Sequence, residues 1–256
     1  MSPTSTSDAP RRASLARGAF LDVLAAAVAL VFANALLVTP VFVLALARSG
    51  AADPAAVDFE ALTRDWLPQI TALTVLATLL AATLTWALRA RRLPSLAPMR
   101  ADFAYPLAIG AGLLIQLGCV AISILSQTAG APIAPSNADP VQAMARELPW
   151  VAWTLVVLVA PAAEELLFRH VLLRRFALAG RAALGLVVTG LVFAALHEPV
   201  PGDAGLVAWG LAVVLYVAMG TGFGLVYLRT GRLGAAIAAH AACNLLALVL
   251  ATFSTF

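Results

Sequence analysis

Val23–Ala47 reads VLAAAVALVFANALLVTPVFVLALA, 25 consecutive residues without a charge. A helix rises about 1.5 Å per residue, so about 20 apolar residues cross some 30 Å of hydrocarbon. The run is long enough to span a bilayer. It is also longer than the roughly 7–15 apolar residues of a cleavable signal, so it predicts an uncleaved membrane anchor. Arg11, Arg12 and Arg17 precede it, and the run length argues against reading Arg11-Arg12 as a twin-arginine signal. Residues 1–17 are expected to be a disordered cytoplasmic N-terminus, since Met1 to Pro10 is rich in Ser, Thr, Pro and Asp.

Three further runs repeat the pattern without a charge: Trp66–Leu88, Ala104–Thr128 and Ala204–Leu228. The whole chain agrees with them, being 62% hydrophobic and 11% charged, with a mean hydropathy of +0.95. A soluble chain carries about 25% charged residues, so this apolar surface does not fit into one globular core. The formal charge of +3 comes from 16 basic residues, all Arg. They punctuate apolar runs and do not form one solvated face, which excludes a nucleic-acid partner. Cys119 and Cys243 sit inside apolar stretches and read as small buried side chains, not as a disulfide framework.

Three more apolar segments reach spanning length only by including ionisable or polar groups. Leu148 to about Leu173 contains Glu164, Glu165, Arg169 and His170; Ala182–Glu198 contains His197; Leu233–Phe253 contains His240 and Asn244. The Arg residues test the resulting count of seven, because cytoplasmic loops carry the basic excess. With the N-terminus inside, 13 of the 16 Arg fall on the cytoplasmic side, while Arg48, Arg64 and Arg146 fall opposite, among eight acids. The expected fold is therefore all-α: a polytopic membrane helix bundle of about seven transmembrane helices, N-in and C-out. Residues 18–147 would supply the first membrane helices and 148–256 the core that carries the chemistry. The segment from Ala129 to Pro140, with Gly130 and three prolines, reads as an external connector. Val141–Leu148 reads as a short interfacial helix. Arg89–Arg100 reads as a basic loop near anionic headgroups.

Charged or protonatable side chains inside spans are costly and mark function. Pro161 removes a backbone donor and predicts a kink one turn before the acids. Glu165 and Arg169, four apart, share a helical face and can pair, leaving Glu164 about 100° round the helix. Phe193 and His197 are likewise one turn apart, as are His240 and Asn244. Each group has a plainer reading: a wet helix end for the acids, a structural His197, an interhelical hydrogen bond for His240 and Asn244. Together they make a carboxylate and two imidazoles, the kit for activating water, with Asn244 able to donate to a developing oxyanion. The same Glu164, His197 and His240 could instead hold Zn²⁺ with an open water position.

Glu164-Glu165-x-x-x-Arg169, Phe193-x-x-x-His197 and His240-x-x-x-Asn244, in that order within apolar segments, resemble the three signature motifs of the CPBP group. It comprises type II CAAX prenyl endopeptidases and bacteriocin-processing or immunity proteins, also called the ABI family. The resemblance covers roughly Leu148 to Ala251. It implies an intramembrane endopeptidase with Glu164 as the water-activating base, His197, His240 and Asn244 completing the site, and Glu165 and Arg169 in support. His170 departs from the pattern, standing where the family often has Gly. Beside the Arg174-Arg175 cluster it reads as a surface histidine.

The implied substrate is a membrane-associated or lipidated peptide or protein, met at the bilayer. The implied setting is a multi-pass protein of the plasma (cytoplasmic) membrane with its site in the cytoplasmic half. Two other classes remain at this point: a non-catalytic immunity or scaffold protein of the same fold, and a proton-coupled transporter using Glu and His as a relay. One geometric tension accompanies the site. Glu164 lies about 15 Å along its helix from Arg174 but His197 about 24 Å from Arg181, so the fifth helix is expected to start well above the bilayer.

Overall fold

The structure, a computed structural model, describes residues 8–49, 57–133, 135–201 and 205–253. Among these residues there are nine helices and no strand. They are α1 (Asp8–Ser49), α2 (Phe59–Asp65), α3 (Leu67–Ala90), α4 (Ala101–Thr128), α5 (Ala138–Glu147), α6 (Pro149–Leu178), α7 (Ala182–His197), α8 (Gly205–Thr230) and α9 (Leu233–Phe253). Six are long and apolar enough to cross a membrane, namely α1, α3, α4, α6, α8 and α9. The fifth expected span is the exception: α7 has 16 residues, about 24 Å of helix. The polytopic helical bundle is the architecture expected of this composition.

Residues 1–7 lie outside the described residues, and helix α1 starts at Asp8, ahead of the apolar run. Pro10 falls in the first turn, where a missing N–H costs nothing, and Ala and Arg then carry the helix into the apolar run.

The bundle packs through small residues, as expected where hydrocarbon provides no hydrophobic drive between helices. A Cβ on Gly112 of α4 would stand 1.9 Å from the Ala239 carbonyl oxygen of α9, so these backbones touch. A Cβ on Gly220 of α8 would meet the Gly190 Cα of α7 at 3.3 Å. Large apolar side chains point outward instead: Phe20 is 73% exposed, Leu114 70% and Leu206 72%. An aqueous surface would not tolerate that pattern; lipid does.

One end of the bundle is tied by arginines. Asp22 of α1, fully buried, accepts from Arg89 Nε of α3 at 2.9 Å and pairs with Arg175 of α6. Arg175 also donates to the Arg89 carbonyl at 2.7 Å. Arg174, likewise buried, donates to the carbonyls of Ala90 (2.9 Å) and Leu93 (3.3 Å), where α3 ends. Arg174 therefore does not mark the helix edge, and α6 runs on to Leu178. Glu164 then lies 14 residues, about 21 Å, from that end, close to the depth of His197 in α7. Counted from the connection between α6 and α7, Glu164 and His197 therefore lie at similar heights.

At the other end, the described residues between Thr128 and Ala138 leave helix, with Gly130 at φ +76. Helix α5, somewhat longer than the expected interfacial helix, leads into α6.

Candidate active site

Helix α6 carries the acids on an irregular backbone. Leu155–Val159 and Leu166–Leu173 are π-helical and flank the regular turns Ala160–Glu165. Such bulges are frequent at functional sites. The expected kink at Pro161 takes this form. The Ala160 N–H bonds to the Leu155 carbonyl. The next bond in that register would run from residue 161 to the Val156 carbonyl, and proline has no N–H to give. Asn244 Nδ2 of α9 donates to that carbonyl at 2.9 Å. The carboxamide thus satisfies, within the membrane, the backbone group that Pro161 frees.

Glu165 is fully buried and engaged on both oxygens. Arg169 Nε stands 3.0 Å from Oε2, and His240 Nδ1 stands 3.0 Å from Oε1. The Arg169 guanidinium also donates to the Gly220 carbonyl at 2.9 Å and lies 5.3–5.9 Å from the ring centres of Phe168, Phe193 and Phe223. That is the geometry of a cation held by aromatic faces. His240 stacks on Phe223 with centroids 4.4 Å apart. This group neutralises itself: a carboxylate, a guanidinium, and an imidazole that donates from Nδ1.

Glu164, about 100° round the helix, faces a different histidine. Its Oε2 lies 3.9 Å from His197 Nε2, and both side chains are partly open, at 16% and 18% exposure. The oxygen has no hydrogen-bond partner among the described residues. His197 Nδ1 is 2.8 Å from the Phe193 carbonyl; a carbonyl only accepts, so Nδ1 carries a proton, and Nε2 is the nitrogen that faces Glu164. A separation of 3.9 Å is too long for a direct hydrogen bond, and because the Oε2 atom itself is buried, a water bridges the pair only once the two side chains part slightly. A water about 2.8 Å from each atom would subtend about 90°.

All six candidates, Glu164, Glu165, Arg169, His197, His240 and Asn244, thus fall on α6, α7 and α9 around one locality, linked by Phe193 between His197 (4.3 Å) and His240 (6.1 Å). The partners differ from the expected ones. His240 binds Glu165, not Glu164, and one N–H of Asn244 is spent on Val156. His170 is not on the surface: it is half-buried, with Nδ1 3.2 Å from the Tyr227 hydroxyl. Among the described residues no group of three His, Cys, Asp or Glu is arranged to hold a metal ion. Glu164, His197 and His240 therefore do not fit a three-ligand Zn²⁺ site as placed here.

Sequence inspection missed Tyr216 of α8. Its ring stacks on His197 with centroids 4.5 Å apart and planes inclined by 24°. Its signal was faint: one of three tyrosines in the chain, it sits in a run otherwise read as plain apolar span.

Residues 146–246 match the Rce1-like type II CAAX prenyl endopeptidase family. The matched segment contains all three motifs and supports, at family level, a CAAX-type protease embedded in the membrane. It spans α6 to most of α9, while α1 to α4 lie outside it. No curated protein and no solved structure matches the chain.

Proposed function

We propose that the chain is an intramembrane endopeptidase that hydrolyses a peptide bond of a membrane-associated or lipidated substrate through water activated by Glu164. The observation that carries this is the 3.9 Å gap between Glu164 Oε2 and His197 Nε2, beside a second carboxylate, Glu165, whose oxygens lie within ion-pair distance of Arg169 and His240. In the proposed reaction the water oxygen attacks the scissile carbonyl carbon as Glu164 takes a water proton. The carbon–nitrogen bond then breaks as that proton passes to the leaving amine. His197 orients the water. His240 is held by Glu165 through Nδ1, and as an imidazolium it would have an Nε2–H left to donate to the developing oxyanion. Asn244 holds α9 against the bulge that aims the two acids.

With the N-terminus inside and the C-terminus out, the arginine-tied end is cytoplasmic. The Glu–His pairs form one cluster and do not extend as a relay through the other spans, which favours hydrolysis over proton-coupled transport. The test compares wild type with Glu164→Ala, His197→Ala and His240→Ala on a quenched, membrane-anchored peptide library, with and without chelator. Hydrolysis by wild type alone, indifferent to chelator, is the expected result. Chelator sensitivity reversed by Zn²⁺ would replace the metal-free route with a metal one, and equal rates in all four proteins would reject the protease.

A further inference from the structure

The His197 imidazole lies between two rings. Phe193, one turn back on α7, stacks at 4.3 Å, and Tyr216 of α8 stacks on His197 at 4.5 Å. The terminal ring torsion of histidine is broad, so the plane of the ring, and with it the direction of Nε2, depends on the Nδ1 bond to the Phe193 carbonyl and on what sits against the ring's faces. Tyr216 is itself fixed at its far end. Its hydroxyl donates to Asn137 Oδ1 at 2.8 Å. Asn137 is the residue just before α5. Its neighbour Ser136 is bound to the same locality: the Ser136 N–H donates to Glu198 Oε1 at 2.9 Å, and its hydroxyl donates to the carbonyl of His197 itself. Glu198 is buried, and its carbonyl accepts from Trp209 Nε1 of α8 at 3.2 Å.

Two adjacent residues of an extramembrane connector thus hold both the backbone that carries His197 and the ring that flanks it. We propose that Tyr216 is a positioning residue for His197, clamped in place by Asn137, so that residues upstream of the Rce1-like segment, which begins at 146, set the geometry of its hydrolytic pair. The inference rests on Glu164 and His197 acting on water. Loss of the Tyr216–Asn137 bond leaves the stacked ring free to swing and lets His197 Nε2 wander from Glu164, which costs rate without removing any group that touches substrate.

The test uses the full chain in nanodiscs with Tyr216→Phe, Asn137→Ala and the double variant. Tyr216→Phe keeps the stacked ring and loses one oxygen, so folding is preserved; an unchanged thermal midpoint verifies that. Turnover is expected to fall roughly tenfold in each single variant with KM within about twofold, the signature of a misdirected group, and the double variant falls no further than either single. A second readout needs no turnover. The chain has three histidines, so ¹⁵N-histidine labelling resolves His197, whose side-chain resonances should move in both single variants. Unchanged kcat in Tyr216→Phe and Asn137→Ala, or unmoved His197 resonances, would overturn the clamp. If wild type and Glu164→Gln hydrolyse equally, the protease reading fails instead, and the resonances alone decide the positioning role.

Discussion

Replacing Arg169 by Met should be among the most damaging single changes in the membrane core. Arg169 is fully buried, its Nε lies 3.0 Å from Glu165 Oε2, and it donates to the Gly220 carbonyl at 2.9 Å. Truncation leaves Glu165, with no exposed surface, holding a charge with only His240 to answer it. Removing one partner of a buried ion pair costs about 3–5 kcal/mol, whereas replacing both by uncharged residues of similar size is often near neutral. Arg169→Met should therefore lose about 3–5 kcal/mol, and Arg169→Met with Glu165→Gln markedly less, giving a coupling of at least about 2 kcal/mol in a double-mutant cycle. Reversible unfolding in mixed micelles titrated with a denaturing detergent measures all four corners. A double variant as unstable as the sum of the two singles would refute the reasoning. It would mean that Glu165 and Arg169 contribute separately and that the self-neutralising cluster is not a unit.

Two other predictions concern the scaffold. Asn244→Ala should destabilise by about 1–3 kcal/mol, the cost of a buried carbonyl left unpaired, and adding Pro161→Ala, which restores a backbone N–H, should recover much of it in thermal unfolding. A double variant no more stable than Asn244→Ala would contradict the pairing of Asn244 with the carbonyl freed by Pro161. Gly112→Ala places a Cβ 1.9 Å from the Ala239 carbonyl oxygen and should cost about 1–3 kcal/mol by forcing α4 from α9. Gly110→Ala and Gly118→Ala, which meet nothing within 4 Å, should leave the thermal midpoint unchanged.

The spans were legible where a charge happened to stand at the hydrocarbon edge. Leu233–Phe253 begins after Arg232 and its expected bounds are those of α9. The fourth segment, expected to end at about Leu173, runs on to Leu178 in α6; Arg174 resembles an edge in sequence alone. A guanidinium bonded to two carbonyls at the end of α3 can lie inside protein, and sequence does not reveal those acceptors. Asp22, just ahead of the uncharged run, is likewise buried between two arginines.

Spacing within a helix carried the site's internal pairs. The Glu165–Arg169 face followed from the four-residue interval, and so did the divergence of Glu164. Pairing between helices did not follow, because it depends on how each helix is rotated about its axis. His240 and Glu165 are 75 residues apart in sequence and meet only through packing. The link between Pro161 and Asn244 also needed the π-helical register, which shifts the freed carbonyl to Val156. Tyr216 lacked both a charge and a motif, and only its ring contact with His197 reveals it.

The central claim is that Glu164 supplies the base. Its most direct test is the turnover of Glu164→Gln on a membrane-anchored quenched peptide, measured beside its thermal midpoint. Glutamine fills the same partly open position without the proton affinity, so turnover should fall by about 10²–10⁴ while stability holds. Turnover within a fewfold of wild type would contradict the account.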